Sequence, residues 1–293
     1  MRVAFLASGA LGKNVLKHFI NKYEIPFVLT DKGSKQIIDL CNQNNIPVYA
    51  GNPRSERIDA FISDLECDVI ASINYLFLIE RKIIQLAKNL CFNIHGSLLP
   101  KYRGRTPHVW AIINGESETG ITAHLIDEGC DTGAIIKQIV VEIESEDTGA
   151  IILEKYKKLY IPLVEYVLNS YLGNTIKLYN QDETKATYFG KRTPEDGEID
   201  WNWSVERIIN WIRSQAHPYP GAFSYYNNNK IVIDKASRSD VGFHYQTENG
   251  TILSIDPLVV KCATGAIKLD SIRNRKSKFY INKKFYKYEN RIV

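Results

Sequence analysis

Cysteine clusters, long apolar runs and a strong net charge are all missing from this 293-residue chain. Its five cysteines are widely spaced and form no CxxC pair, which argues against a metal site or a disulfide framework and fits a reducing cytoplasm. No apolar run approaches the roughly 20 residues that a membrane-spanning helix needs. The 37 Lys and Arg residues nearly balance the 33 Asp and Glu residues. We therefore expect a cytoplasmic, soluble protein with no metal, no membrane partner and no nucleic-acid partner.

The small positive charge is unevenly distributed along the chain. Residues 268–293 contain nine Lys or Arg residues and only two acidic ones. Such a segment can attract phosphates or RNA, although it is more often a solvated surface on a β-rich end. Its role stays open at this point.

The first part of the chain alternates short apolar runs with amphipathic stretches, which is typical of βαβ units on a mostly parallel sheet. The predicted strands are Val3–Ala7, Pro26–Leu29, Pro47–Tyr49, Val69–Ile73, Phe92–His95, Gly120–Ile126 and Ala134–Ile143. The predicted helices are Leu11–Lys22, Ser34–Gln43, Glu56–Leu65, Glu80–Ala87, Pro107–Asn114 and Thr148–Leu172. The sequence thus predicts the α/β fold class, with a Rossmann-like, mostly parallel sheet over residues 1–173.

Periodicity disappears after residue 173, where turn-rich polar sequence predicts a linker over residues 174–203. Beyond it, Ser204 is a candidate N-cap for a helix over Val205–Ala216. Short strand-like runs separated by Asn- and Gly-rich turns complete the chain. We therefore predict a second, small domain over residues 204–293, formed by a helix and a β-rich, OB-like part.

A glycine-containing turn follows the first predicted strand. The segment Ser8-Gly9-Ala10-Leu11-Gly12 is not a GxGxxG motif, and no Lys-Ser/Thr pair follows it, so a dinucleotide site is not indicated. A tight βα turn is the favoured interpretation. Contact between the amides near Gly9 and a substrate phosphate is the alternative.

Two polar residues end the predicted strand Phe92–His95. Asn93 and His95 point to the same side, because side chains alternate along a strand, and ligands of open α/β sheets bind beyond the carboxyl ends of strands. Asp131 lies in a glycine-bracketed loop that can reach them if its flanking strands join the same sheet. An amide that donates to a developing oxyanion, a proton-accepting imidazole and an orienting carboxylate suit acyl transfer to an amine. Cys130 has no evident His partner, so we interpret it as a packing residue rather than a nucleophile.

Three segments of this chain together resemble the folate-dependent formyltransferase family. They are Asn93-Ile-His95-Gly-Ser-Leu-Leu-Pro100, Arg103-Gly104 and Asp131-Thr-Gly133. The resemblance implies that Asn93, His95 and Asp131 are the catalytic trio and that N10-formyltetrahydrofolate is the formyl donor, leaving as tetrahydrofolate. It also implies a folate-binding set beside the strand that precedes Asn93. That set consists of Asn74, Tyr75, Leu76, Phe77, Leu78, Asp127 and Asp131.

Three further segments resemble the nucleotide-sugar branch of that family: residues 105–111, 187–201 and 217–223. The resemblance implies an acceptor amine on a nucleotide-linked amino-deoxysugar, with a dTDP-linked 3- or 4-amino-dideoxyhexose favoured. Such an enzyme would serve surface polysaccharide synthesis, for example of lipopolysaccharide O-antigen, and is expected to be a homodimer.

Basic and aromatic residues near the trio provide candidate contacts to a nucleotide sugar. Guanidinium groups suit bidentate phosphate recognition, and a tyrosine ring can stack on a base or sugar. A solvated basic loop is the alternative for the charged residues. The substrate-binding set is Gly9, Lys101, Arg103, Arg105, Thr106 and Tyr219.

Other functions stay open on the sequence alone. A methionyl-tRNA formyltransferase would make use of the basic segment 268–293. A non-catalytic nucleotide-sugar or folate-binding relative would keep the fold without turnover. A formyltetrahydrofolate hydrolase would use water in place of the amine.

Overall fold

The computed structural model describes residues 1–55, 57–273 and 277–288, which form two compact units. The first unit comprises Met1–Gly104, Gly120–Val141 and Lys155–Phe189. The second comprises Arg105–Thr119, Glu142–Glu154 and Gly190–Val293. Among the helices of the described ranges, none has the length and apolar character needed to cross a bilayer.

The described parts of the two units contain fourteen strands, seven α-helices and two short 3-10 helices, Glu183–Lys185 and Pro194–Gly197. The strands are β1 Val3–Ala7, β2 Val28–Thr30, β3 Val48–Ala50, β4 Cys67–Ile73, β5 Ala87–His95, β6 Arg103–Gly104, β7 Glu118–Leu125, β8 Ile135–Glu142, β9 Tyr188–Phe189, β10 Ala222–Tyr226, β11 Asn229–Ser239, β12 Ile252–Ile255, β13 Leu258–Cys262 and β14 Gly265–Ile272. The helices are α1 Gly9–Phe19, α2 Lys35–Gln43, α3 Arg57–Ile62, α4 Arg81–Ile84, α5 Pro107–Ile113, α6 Gly149–Leu172 and α7 Val205–Ser214.

The first unit is built on a seven-stranded sheet with the strand order β3-β2-β1-β4-β5-β7-β8. Strands β1 to β5 run parallel, and β1 is buried along its whole length because helices cover both faces of such a sheet. Strand β5 pairs parallel with β4 on one side and antiparallel with β7 on the other. The predicted Rossmann-like fold class is confirmed.

The second unit contains a five-stranded antiparallel sheet with the order β10-β11-β14-β13-β12. Helices α5 and α7 pack against each other, and α7 packs on β11. The core is aromatic-rich and includes Trp201, Trp211, Tyr226, Phe279 and Phe285. This arrangement confirms the predicted small β-rich part.

Two predicted elements differ from the structure in length. The helix predicted over Glu80–Ala87 is only the single turn α4, and β5 begins at Ala87 because that residue already pairs with Cys67 of β4. This pairing brings the polar residues before Cys91 into the sheet, although they carry no strand pattern of their own. Of the helix predicted over Glu56–Leu65, the structure has α3, and Glu56 lies outside the described residues.

The predicted linker is not uniformly irregular. Strand β9 lies within it and pairs parallel with β6. The partner strand is more than eighty residues earlier in the sequence, and local periodicity does not reveal a pairing over that distance. Residues 174–189 pack with the first unit, whereas residues from Gly190 onward belong to the second. The domain boundaries at 173 and 203 stay a prediction. Within the basic segment 268–293, residues 274–276 and 289–293 lie outside the described part of the chain.

Candidate active site

His95 ends strand β5 and is almost fully buried, with 6% of its surface exposed. Its Nε2 atom lies 2.8 Å from the backbone oxygen of Tyr102. A carbonyl oxygen only accepts hydrogen bonds, so Nε2 carries a proton and Nδ1 is the nitrogen that can accept another. Nδ1 lies 3.4 Å from Oδ2 of Asp131. A positive charge formed on this ring is therefore placed beside a carboxylate.

Asp131 lies in the loop between β7 and β8, with a left-handed backbone (φ 58°). Its Oδ2 accepts a 2.9 Å hydrogen bond from the Gly104 backbone N–H. Burial alone would raise the pKa of Asp131, but the His95 ring, that N–H group and the His124 ring lower it below its ordinary value. Asp131 is consequently ionised at neutral pH.

Asn93 faces a second buried imidazole ring, that of His124, which the sequence interpretation missed. His124 on β7 is its direct cross-strand partner, and the Asn93 Nδ2 and His124 Nε2 atoms are 3.1 Å apart. Burial lowers the pKa of His124 to about 4, so the ring is neutral. Its Nδ1 lies 2.8 Å from the Leu125 carbonyl oxygen and must hold the proton, which leaves Nε2 to accept from Asn93. His124 thus fixes the orientation of the Asn93 amide, and only the β5–β7 register reveals this.

Two glycines allow the backbone segments around Asp131 to pass close to neighbouring carbonyl groups. Gly104 has φ +100°, and a Cβ atom there would collide with the Phe189 carbonyl oxygen. A Cβ atom at Gly133 would collide with the Leu125 carbonyl oxygen. The glycines of the two sequence motifs are therefore needed for the backbone path itself.

Five of the predicted folate-binding residues, Asn74 to Leu78, follow β4 directly and form a partly apolar surface. Leu76 and Leu78 are 42% and 57% exposed, which is high for leucine. The rings of Tyr75 and Phe77 are 5.4 Å apart in an edge-to-face arrangement. The Tyr75 hydroxyl is buried and makes no hydrogen bond to any described residue.

Two predicted folate-binding residues organise their own loops. Asn74 has a left-handed backbone (φ 54°), and its Nδ2 donates a 3.1 Å hydrogen bond to the Ser8 carbonyl oxygen. Asp127 accepts from the Gly129 N–H at 3.1 Å and from the Thr132 hydroxyl at 2.6 Å. Its carboxylate therefore closes the turn that leads to Asp131.

The predicted substrate-binding residues do not all lie in one place. In the first unit, Gly9 and Lys101 are exposed, but the Gly9 N–H already donates to the Ser34 hydroxyl at 2.8 Å. This contact fits the tight-turn interpretation of the segment that begins at Ser8. In the second unit, Arg105 and Thr106 are exposed. Tyr219 is half-buried there, with its hydroxyl 3.0 Å from Nε2 of His108.

Arg103 corrects the sequence interpretation. Its side chain is fully buried, and all three guanidinium nitrogens donate to protein groups. The acceptors are the Glu183 carboxylate, the Gln181 side-chain oxygen and the Tyr188 hydroxyl. A phosphate has no free donor to bind here, so the predicted contact between Arg103 and the substrate is wrong.

Comparison with family models places the chain in a known family. Residues 1–161 match the model described as formyl transferase, and residues 191–288 match the model described as formyl transferase, C-terminal domain. The chain therefore belongs to the formyl transferase family, as the motifs predict. Among the described residues, no group of three or more His, Cys, Asp or Glu side chains is arranged to hold a metal ion.

Solved structures of similar fold include enzymes that act on sugars. WlaRD, a sugar 3N-formyl transferase solved with dTDP and 5-N-formyl-THF, is 24% identical with a TM-score of 0.70, over 92% of this chain and 98% of WlaRD. The Helicobacter canadensis N-formyltransferase was solved with folinic acid and dTDP-3-aminofucose. It is 21% identical with a TM-score of 0.71, over 91% of this chain and 98% of that protein. Methionyl-tRNA formyltransferase from Clostridium thermocellum is 21% identical with a TM-score of 0.57, over 82% of this chain and 94% of that protein.

Proposed function

We propose that the protein transfers a formyl group from N10-formyltetrahydrofolate to the amine of a nucleotide-linked amino-deoxysugar. The observation that carries this proposal is the cluster of Asn93, His95 and Asp131 around the end of β5. The His95 ring lies 3.4 Å from the ionised Asp131 carboxylate, and the His124 ring, which accepts from the Asn93 amide, lies 3.6 Å from the same carboxylate. Proteins of similar fold bind dTDP or a dTDP-sugar together with a folate, which supports the choice of substrates.

Each member of the trio has a distinct task in formyl transfer. His95 accepts a proton at Nδ1 from the amine as the amine bonds to the formyl carbon, because Nε2 is committed to the Tyr102 carbonyl. Asp131 balances the resulting positive charge from 3.4 Å. His95 returns that proton to N10 of the folate as the bond between N10 and the formyl carbon breaks, so that tetrahydrofolate is released. One amide hydrogen of Asn93 is held by His124, so the other can donate to the formyl oxygen as it gains negative charge.

The folate donor supplies an electrophilic formyl carbon when it is bound. The residues that follow β4 fit such a ligand, since a flat pterin ring needs an apolar surface with a few polar contacts. Leu76 and Leu78 expose that apolar surface, and the buried Tyr75 hydroxyl has an unused hydrogen-bonding capacity. We assign these three residues, with Asn74, Phe77, Asp127 and Asp131, to the folate site.

The acceptor is proposed to be a dTDP-linked 3- or 4-amino-dideoxyhexose used in surface polysaccharide synthesis. Two exposed cations, Lys101 and Arg105, remain as candidates for its diphosphate after Arg103 is removed from the set. Thr106 and Tyr219 are retained for the nucleoside or the sugar. A cytoplasmic homodimer is proposed with this function.

The proposed function is tested by mixing the protein with N10-formyltetrahydrofolate and a panel of dTDP-, UDP- and GDP-linked amino sugars. Initiator methionyl-tRNA is included as a competing acceptor, and a reaction without any acceptor serves as a control. Mass spectrometry should detect formylation of one nucleotide sugar. Formylation of the tRNA alone, or release of free formate at the same rate without an acceptor, would replace the proposed acceptor with tRNA or water.

A further inference from the structure

Gln181 occupies the centre of a hydrogen-bond network behind the trio, although it lies fifty residues from Asp131 in sequence. Its Nε2 atom donates to the backbone oxygen of Asp131 at 2.8 Å and to that of Gly133 at 2.7 Å. Its Oε1 atom accepts from Nε and Nη2 of Arg103 at 3.2 and 2.7 Å. All the donors and lone pairs of this amide are therefore used.

Arg103 holds the other side of Gln181 rigidly. Its side chain is fully buried, and its Nη1 and Nη2 atoms donate to the two Glu183 carboxylate oxygens at 2.8 and 2.6 Å. The neighbouring residue Gly104 donates its backbone N–H to the Asp131 carboxylate. Strand β6 thus supports Asp131 twice: Gly104 binds its side chain directly, and Arg103 supports its main chain through Gln181.

The backbone of Asp131 needs such support. A left-handed conformation costs a non-glycine residue on the order of 1–2 kcal/mol, and it persists only where the surroundings enforce it. The residues just before Asp131 are exposed and pack little, from Asp127 to Cys130. The two hydrogen bonds from Gln181 are therefore the main-chain restraint that keeps the carboxylate within reach of His95.

We propose that Gln181 is a positioning residue for formyl transfer, acting by holding the backbone of Asp131 and Gly133. This inference rests on the proposed role of the trio in formyl transfer. Displacing a catalytic group by about 1 Å can cost on the order of 100-fold in rate, so loss of this restraint should act on turnover rather than on binding.

The Gln181→Glu variant isolates the donor function. Glutamate has the same size and keeps an acceptor for Arg103, but an ionised carboxylate has no hydrogen to donate and would face two carbonyl oxygens. Gln215→Glu is the matched control, because Gln215 in the second unit also accepts from an arginine (Arg192, 3.1 Å) and donates to a backbone carbonyl (Trp211, 3.0 Å).

Two measurements test the inference together. Steady-state formylation should show kcat reduced at least ~10-fold in Gln181→Glu, with the KM for the amino sugar nearly unchanged, whereas Gln215→Glu keeps the wild-type kcat. Amide hydrogen exchange should show faster exchange over residues 127–133 in Gln181→Glu but not in the control. Thermal unfolding confirms that both variants are folded.

The outcomes separate this inference from the proposed function. Wild-type kcat or unchanged exchange over residues 127–133 in folded Gln181→Glu overturns the positioning role. If the wild type formylates no acceptor while the variant still loosens that loop, the restraint stands and the proposed function fails. A variant that does not fold is replaced by Gln181→Met, which removes the donors without adding charge, and the same two results decide.

Discussion

Charged side chains at the proposed reaction site of the first unit differ in exposure from two ion pairs of the second unit. In the first, Arg103 is fully buried and the His95 and Asp131 side chains are only 7% and 16% exposed. In the second, the pairs Arg238–Glu206 and Lys235–Glu146 have all four side chains at least 59% exposed. Exposed pairs contribute little to stability, whereas a buried charge must be fully hydrogen-bonded to be tolerated. The buried charges of the first unit therefore fix loops in place, as a reaction site requires.

A half-buried arginine in the second unit sharpens this contrast. Arg192 lies over the rings of Trp110 and Trp211, at 5.0 and 4.3 Å from their centroids. Burial lowers the pKa of Arg192, whereas hydrogen bonding to Glu183 raises the pKa of Arg103. Arg192 is thus held by aromatic faces and by two neutral oxygens, those of the Asp196 backbone and the Gln215 side chain. Arg103 is held by a carboxylate, and it is linked to the Asp131 loop through Gln181.

The largest effect is expected for replacement of the trio. His95→Asn removes the proton acceptor, and general base catalysis typically contributes ~10²–10⁴-fold, so turnover should be nearly abolished. Asn93→Ala and Asp131→Asn should also lose nearly all turnover, with a loss of ~10²–10³-fold typical for an oxyanion donor. Formylation rates and circular dichroism check this, and full activity in a folded His95→Asn protein would remove His95 from the mechanism.

Removal of the buried guanidinium should produce the next largest effect. Arg103→Met leaves the Gln181 oxygen without its donor and should lower the free energy of unfolding by about 2 kcal/mol. Formylation should fall as well, because Arg103 supports the Asp131 loop. Urea titration of the variant and the wild type gives the difference. A loss below about 1 kcal/mol would show that the network is not a structural restraint.

The buried His124 ring should make the stability of the protein depend on pH. Burial depresses the pKa of His124 to about 4 from an ordinary value of 6.5. Protons then bind the unfolded chain more readily than the folded one, so stability is present above pH 6.5 and is lost as the pH falls from there toward 4. Between about pH 7.5 and about pH 5, His124 should account for roughly 2 kcal/mol of the lost unfolding free energy. His124→Gln, measured by urea titration at both pH values, should flatten that dependence. An unchanged slope would mean that the His124 ring binds its proton as readily in the folded protein as in the unfolded chain.

The smallest effect is expected at the exposed pairs of the second unit. Arg238→Met breaks the ion pair with Glu206 and should change the free energy of unfolding by at most about 1 kcal/mol. It is also the matched control for Arg103→Met, since both remove an arginine bonded to a glutamate. Equal losses of unfolding free energy in Arg103→Met and Arg238→Met would contradict the expected difference between the buried and the exposed arginine.

Local sequence predicts much of this molecule, and its failures have a common cause. The alternating pattern predicts the parallel sheet, and the motif that begins at Asn93 predicts the strand end where the trio lies. His124, the burial of Arg103 and the role of Gln181 depend on contacts between residues 31 to 85 positions apart. Strand register and loop pairing determine such contacts, and neither is encoded in local periodicity.

The most direct test of the account follows an isotope-labelled formyl group from N10-formyltetrahydrofolate to a dTDP-linked 3-amino sugar by NMR. We expect the label to appear as a formamide on the sugar with the wild-type protein and not with His95→Asn. Label that stays on the folate, or that is released as formate whether or not the sugar is present, would contradict formyl transfer to a sugar amine.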